Sequence, residues 1–199
     1  MSGIELTPKQ LFRELARARR AAVDQRAERS AAICQRLMTF PLWAAANTVS
    51  IYVDFRDEVQ TRLLLDAAWA SGKQVTVPFC KPDKTLGMFA LASLGELQPG
   101  KFGILEPPRP LQKDPLRLIS PPQHDLLVTP GLAFDHACQR MGYGVGHYDR
   151  LIPLLRADCL KIGLAFDAQV VEHLPTEPHD APLDLIVAET ATYSRDGQG

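Results

Sequence analysis

The sequence predicts one three-layer α/β/α domain built on a mainly parallel sheet, and three observations lead there. From residue 48 onward, short apolar runs alternate with a helical segment and with turn residues. Several of these runs are apolar on both faces: Leu126-Leu127-Val128, Ile162-Gly163-Leu164-Ala165 and Leu185-Ile186-Val187-Ala188. Such strands suit a parallel sheet covered on both sides, because a sheet with one wet face alternates apolar and polar residues. Finally, 199 residues with 46% hydrophobic content supply a sizeable core for one domain. A helical segment is expected over about residues 7–40 and an α/β core over about 48–190.

The elements follow in order. Thr7-Pro8-Lys9-Gln10 marks a helix start: a threonine to cap, a proline pre-set for the first helical position, and a glutamine that closes a capping box. Leu11, Leu15, Ala18 and Ala22 recur at helical spacing and define the expected apolar face. Ala27, Ala31, Cys34, Leu37 and Met38 do the same for a second run after Asp24. Pro41 is expected to close this hairpin or bent helix. Strands are expected over 48–53, 73–78, 85–90, 125–129, 160–166 and 184–188, with a helix over 60–71 ending at Gly72. Pro107-Pro108-Arg109-Pro110 and Pro121-Pro122 bracket a rigid, irregular excursion, and a further helix is expected around Leu151, Leu154 and Leu155.

With 22 Lys+Arg against 23 Asp+Glu, the net charge of −1 argues against a general nucleic-acid or membrane-surface binder, because those partners demand a strong positive field. The charge is uneven: residues 9–36 carry eight basic and three acidic side chains, a local +5 that the remainder offsets with −6. A solvated basic face is the expectation for Arg17, Arg19 and Arg20. No apolar run approaches the roughly 20 residues of a bilayer span and no leader pattern is visible, so a cytoplasmic monomer is expected. Cys34, Cys80, Cys138 and Cys159 lie 46, 58 and 21 residues apart with no C-x-x-C pair, and are read as reduced and mostly buried. Trp43, Trp69 and Met88 are read as packing residues.

The densest chemical signal is Arg140-Met141-Gly142-Tyr143-Gly144-Val145-Gly146-His147-Tyr148-Asp149-Arg150. Alternate glycines let a backbone approach a ligand closely, and a glycine-rich turn feeding a helix offers N–H groups and the positive end of the helix dipole to phosphate. The spacing fits neither a P-loop nor a dinucleotide fingerprint, which follows its strand at once. On glycines alone, a tight surface turn explains the segment as well as a phosphate cradle does. Its company adds weight. Pro130-Gly131-Leu132-Ala133-Phe134-Asp135 leaves the preceding strand and His179-Asp180 precedes the last one, so three loops are expected to meet at or beside the carboxyl edge of the sheet.

These segments resemble the 5-formyltetrahydrofolate cyclo-ligase (methenyltetrahydrofolate synthetase) family, whose pattern is roughly PGLAFD, a short spacer and RLGYGGGYYDR. Supporting matches are Lys9, Arg13, Asp57-Glu58-Val59, Phe102-Gly103-Ile104, Glu106-Pro107, Gln169, Pro175 and His179-Asp180, so the resemblance runs from about residue 9 to 188. It implies a fold similar to the phosphosugar isomerase and CoA-transferase superfamily. It also implies ATP-dependent closure of 5-formyltetrahydrofolate to 5,10-methenyltetrahydrofolate, with release of ADP and phosphate. A formamide oxygen is a poor leaving group, and the family is held to phosphorylate it, giving an iminophosphate that N10 attacks. The protein's part is then positioning and charge neutralisation.

Carried over residue by residue, the resemblance assigns ATP to Lys9, Arg13, Arg140, Met141, Gly142, Tyr143, Gly144, Val145, Gly146, His147 and Tyr148, with Arg140 and Tyr148 as catalytic residues. The folate falls to Val53, Glu58 and the loop from Tyr143 to His147. Asp149 and Asp180 match carboxylates associated with Mg2+, a hard cation that needs one or two protein oxygens beside phosphate and water. Read alone, Asp149 is also open to a helix cap or an ion pair with Arg150, Asp180 to a turn carboxylate, Glu58 to a solvated acid and Val53 to a core residue. Asp135 is read as shaping its turn or supporting the phosphate loop.

Three positions depart from the family pattern. Cys138 and Val145 stand where glycine is usual, and His147 replaces an apolar ring with one able to carry charge. Two other readings compete: a sugar-phosphate isomerase on the same fold, which needs no ATP, and a non-catalytic nucleotide- or folate-binding relative. A basic helix pair that binds RNA is a third, but the segment lacks interleaved aromatics.

Overall fold

Thr7 caps the first helix as the sequence predicts: its hydroxyl accepts from the Gln10 amide at 3.2 Å while the Gln10 side chain accepts from the Thr7 amide at 2.8 Å. The structure, a computed structural model, describes residues 7–100 and 103–195, and Phe102 of the sequence match lies outside them. Helix α1 spans Pro8–Ala21, α2 Arg26–Met38 and α3 Pro41–Ala45. Gln25 takes a left-handed φ of 46° between α1 and α2 and breaks the chain there. The two helices do not form the expected hairpin or bent helix, because each packs on a different surface. Pro41 opens the short α3 rather than ending α2.

The remaining elements are β1 (Thr48–Ile51), α4 (Arg62–Ala70), β2 (Gln74–Cys80), β3 (Leu86–Ala90), β4 (Gln98–Pro99), β5 (Leu105–Glu106), β6 (Leu126–Thr129), β7 (Ala133–Asp135), β8 (Arg140–Met141), α5 (His147–Leu151), β9 (Leu160–Leu164), β10 (Val170–Val171), β11 (Leu185–Val187) and β12 (Thr192–Ser194). Seven strands form the main sheet in the order β12-β11-β9-β6-β1-β2-β3. Its five inner strands are parallel, and β3 and β12 close the edges antiparallel. The runs apolar on both faces are the adjacent inner strands β6, β9 and β11, where both faces are covered. A second sheet has the order β10-β7-β8.

Helices α2, α3 and α4 cover one face of the main sheet, setting Ile33, Leu37, Trp43 and Leu64 against Val49, Leu126, Ile162 and Val187. The opposite cover is thinner. Leu151 of α5 and Ile152 of the following 3-10 turn pack on Met88, Leu127 and Cys159, where a longer helix had been expected. Beside them the small sheet brings Phe134 and Cys138 onto Ala165, Leu183 and Ile186. Helix α1 lies on the small sheet, with Phe12 and Ala16 against Leu132, Ala133 and Met141.

The face that α1 buries corrects the expectation. Leu11 and Leu15 are 51% and 55% exposed, and Ala18 and Ala22 are exposed with them; Phe12, Ala16 and Arg20 turn inward. The small sheet offers a narrow apolar strip that two side chains fill, so the leucines have nothing to pack against. Cys34, Cys138 and Cys159 are buried and Cys80 is exposed; no disulfide forms among the described residues. Trp43 and Met88 are buried, and the half-buried Trp69 donates from Nε1 to the Leu91 carbonyl at 2.8 Å. Among the described residues no helix is long and apolar enough to cross a membrane.

Candidate active site

The segments following β1, β6, β8 and β10 meet α1 around a cavity of about 200 Å³. Its lining contains Lys9 and Arg13 from α1, then Glu58, Pro130 and Gly131, all of residues 140–149, and 174–177 with His179 and Asp180. The three loops expected to converge therefore do so. Every candidate residue lies on this lining except Val53, which is half-buried and packs against the Val77, Phe79 and Phe89 cluster. An adjoining depression adds Thr7, Pro8 and Gln10 and shares Lys9, Arg13, Pro175, Thr176 and Glu177 with the cavity.

The β7–β8 hairpin delivers Arg140. Asp135 shapes the turn: Oδ1 accepts from the Ala137 and Gln139 amides at 3.0 and 2.9 Å, and Oδ2 from the Leu174 amide at 3.0 Å. Cys138 sits in this turn with a left-handed φ of 59°, the conformation that explains why glycine is usual there. Its thiol is fully buried and donates to the Tyr193 carbonyl at 3.3 Å, so burial offsets the backbone cost.

Arg140 is 9% exposed, donates to Asp149 Oδ1 at 3.1 Å and lies over the Tyr148 ring, 5.1 Å from its centre. Its buried Nε–H has no acceptor among the described residues. Burial raises the Tyr148 phenol pKa, with a further push from the Glu58 charge, so Tyr148 is a hydrogen-bond donor at neutral pH. Asp149 Oδ1 also accepts from the Ala181 amide at 3.3 Å; the carboxylate pairs with Arg140.

The glycines serve the loop's own shape. Gly144 has φ 91°, and a Cβ there would stand 3.2 Å from Arg13 Cζ, whose Nε donates to the Gly142 carbonyl at 3.3 Å. Helix α5 is only five residues long, and the lining cations nearest its loop include Lys9, Arg13 and Arg140. Lys9 Nζ reaches Asp180 Oδ2 at 2.7 Å and Glu177 Oε2 at 2.6 Å. Donor atoms of Glu177, His179 and Asp180 lie within 4.8 Å of one another; Asp149 is not in that cluster.

Glu58 is 9% exposed and accepts from the Phe55 amide at 3.1 Å. Desolvation pushes its carboxyl up to about 7, against the opposing pull of Arg20 and the Phe55 N–H. Arg20 corrects the expectation of a solvated basic face: it is 1% exposed. It grips Asp57 with two donors at 3.0 and 3.1 Å, the Gly131 carbonyl at 2.9 Å, and the Tyr143 hydroxyl. Arg17 and Arg19 are exposed as expected, Arg17 resting over the Tyr143 ring. In sequence Arg20 reads as one more charge of a basic segment; its place in the i, i+4 row with Phe12 and Ala16 is the signal of burial. Gln169 is likewise buried and donates to Gly131 O at 2.8 Å.

The profile of the 5-formyltetrahydrofolate cyclo-ligase family matches residues 7–189. The chain belongs to this family. A 5-formyltetrahydrofolate cyclo-ligase of Escherichia coli (strain K12) is 33% identical over 182 residues, covering 89% of this chain and 98% of the relative. One from Haemophilus influenzae is 33% identical over 146 residues, covering 71% and 76%. The NMR structure of Aquifex aeolicus 5,10-methenyltetrahydrofolate synthetase superposes with a TM-score of 0.82 at 27% identity, over 97% of this chain and 96% of that one.

The remaining departures from the cyclo-ligase pattern also have structural settings. Val145 is 48% exposed and has no left-handed φ, so nothing there demands glycine. His147 Nδ1 lies 2.8 Å from the Lys84 carbonyl and tethers the loop to the β2–β3 turn.

Proposed function

We propose that this chain catalyses the ATP-dependent cyclisation of 5-formyltetrahydrofolate to 5,10-methenyltetrahydrofolate, releasing ADP and phosphate. The observation that carries the reading is the convergence of Lys9, Arg13 and Arg140 with Glu58 and Tyr148 on one cavity. Cations suited to a triphosphate stand beside an acid and a phenol suited to a pterin ring. The shared edge at Lys9 and Arg13 joins that cavity to the neighbouring depression and favours two ligands meeting there.

In the proposed reaction the formyl oxygen attacks the γ-phosphorus, the bond to the β-bridging oxygen breaks, and ADP leaves. The N10 lone pair then adds to the activated formyl carbon. Loss of the N10 proton and of inorganic phosphate completes the ring. Arg140, nearly buried on the cavity wall, is suited to take a phosphate oxygen through its guanidinium. Tyr148 offers its O–H to the same region, and ionised Glu58 accepts from pterin N–H groups.

Mg2+ is part of the proposal. The donor chemistry fits: Asp149 and Asp180 are hard oxygen ligands on the cavity wall beside Lys9 and Arg140. When bound, the ion would neutralise phosphate charge and orient the transferring group. The proposal extends to a monomer that acts without a nucleic-acid or membrane partner.

The test is a near-ultraviolet absorbance time course with 5-formyltetrahydrofolate and Mg2+, with and without ATP, at slightly acidic pH where the methenyl product persists. An ATP-dependent rise matched one for one by ADP supports the reading. Folded protein that binds either ligand but gives no rise would overturn it in favour of a non-catalytic relative.

A further inference from the structure

We infer that Arg20 is a positioning residue for the folate end of this cavity: one buried guanidinium sets three of the walls relative to one another. The inference rests on the folate reading of Glu58. Arg20 is itself outside the cavity lining, but each loop it grips contributes to that lining. Its Asp57 anchor neighbours Glu58, whose Oε1 lies 3.7 Å from Arg20 NH1; Gly131 follows β6; Tyr143 belongs to the glycine loop. These contacts lie 37, 111 and 123 positions along the chain from Arg20; the β1–β6 pairing and the β7–β8 hairpin bring the three loops near one another, and Arg20 cross-links their side chains and carbonyl.

The residue type matters. Burying a cation costs several kcal/mol before compensation, and the other inward residues of the same helix row, Phe12 and Ala16, are apolar. Only a planar fork of five donors can hold a carboxylate with two bonds while serving a carbonyl and a phenol at once. Tyr143 shows the dependence most directly. Its ring is 51% exposed, flanked by Arg17 and Arg20 at 5.5 and 5.6 Å from its centre, with its hydroxyl on Arg20. The phosphate-side residues Lys9 and Arg13 make none of these bonds; they pair with Asp180, Glu177 and Gly142. Tyr143 is assigned to both ligands, but the Asp57–Glu58 arm is on the folate side alone, so loss of the fork should fall more heavily on folate than on ATP.

The decisive variant is Arg20→Lys in the full chain, which keeps the charge and loses the fork. In folded protein the KM for 5-formyltetrahydrofolate rises about tenfold or more, the loss of a charge-assisted bond, while the KM for ATP moves less than about threefold. Arg20→Met removes the cation facing Glu58 as well, and in that variant the acidic limb of kcat/KM for folate also moves to higher pH. The other groups facing Glu58 are Asp54 and Asp57 on its own loop, Tyr52 just past β1, and Tyr148 on α5. Unchanged folate KM in Arg20→Lys and an unmoved limb in Arg20→Met would overturn the inference.

Should Arg20→Lys fail to fold, Asp57→Asn and Tyr143→Phe each remove one arm of the clamp. Their combined effect on folate affinity is expected to be smaller than the product of the two, because both act through Arg20; independent, multiplicative effects would count against it. Calorimetric binding of 5-formyltetrahydrofolate without ATP separates the two levels of the argument. Wild-type protein that binds folate but does not turn over sinks the proposed function alone, whereas equal folate affinity in wild type and Arg20→Lys sinks the positioning role.

Discussion

Lys9 and Asp180, 171 positions apart in the chain, meet at 2.7 Å on the cavity wall. A cation assigned to phosphate is thus already held by a carboxylate assigned to metal. Desolvation works against the Lys9 charge, but hydrogen bonds and charge from Asp180 and Glu177 outweigh it and raise its pKa. Desolvation likewise opposes ionisation of Asp180, yet Lys9 and the Glu177 amide leave its pKa lowered. ATP with its metal would let the two trade each other for phosphate and cation. Lys9→Met is expected to raise the KM for ATP about tenfold to a hundredfold with folate binding unchanged, read by steady-state kinetics and calorimetry. Because the Asp180 pKa is lowered, its stabilising contribution is present above its ordinary value of 3.8 and is lost as pH falls through its lowered folded-state value.

Arg140→Ala is expected to weaken ATP use at least about tenfold while circular dichroism stays native, since the guanidinium lines the cavity rather than supporting the main sheet. His147→Phe is the contrasting variant. It loses the bond to the Lys84 carbonyl, but Arg150 donates to the same carbonyl at 2.7 Å and keeps the loop tethered. ATP affinity should stay within about twofold. A loss in His147→Phe that matches Arg140→Ala would contradict these roles.

Glu58 makes a prediction with opposite signs for activity and stability. With its carboxyl pushed up to about 7, the ionised form that accepts from the pterin grows as pH rises through neutrality, and kcat/KM for folate grows with it. Folding moves the other way. A raised pKa means that the folded state holds the proton more tightly, so this group's contribution is complete below its ordinary value of 4.5 and is lost as pH rises through about 7. Glu58→Gln should flatten the activity limb and raise the folate KM. Relative to wild type it should gain roughly 1–3 kcal/mol of stability between pH 5 and pH 8. Denaturant titrations at those two pH values check it, and a difference independent of pH would refute it.

At Cys138 the usual ranking of alanine over glycine should invert. Cys138→Ala keeps the left-handed φ of 59° and loses the buried thiol, so a loss of about 1–2 kcal/mol is expected. Cys138→Gly loses the same packing but relieves the backbone, and should lie within about 1 kcal/mol of wild type. Thermal unfolding of the pair decides the matter, and an alanine variant more stable than the glycine one would be the contrary result.

The main sheet was legible because β6, β9 and β11 are inner strands, and an inner strand declares itself by being apolar on both faces. Strands β7, β8 and β10 escaped because two or three residues carry no period; their pairing is decided by the Asp135 turn and by what α1 lays over them. The inward face of α1 is hidden for a related reason. Counting apolar residues selects Leu11 and Leu15, whereas the helix faces a strip already filled by Phe12 and Ala16. Site residues with their own motif, from Arg140 to Asp149, were visible in sequence. Arg20 was not, since a charge whose partners lie in three distant loops looks like any solvated arginine until those loops are in place.

The reach of those contacts also bears on the order of assembly. Lys9 and Arg20 leave the ribosome early; Asp57 follows soon after, but the rest of the groups that satisfy them arrive only with Gly131, Tyr143, Glu177 and Asp180. Closing such long spans is slow, and an arginine cannot leave water before its acceptors exist. Helix α1 is therefore expected to complete its docking late on a nascent chain. A polypeptide cut short just before residue 180 would own every glycine of the loop and still have nothing to hold its first helix by the Lys9–Asp180 pair.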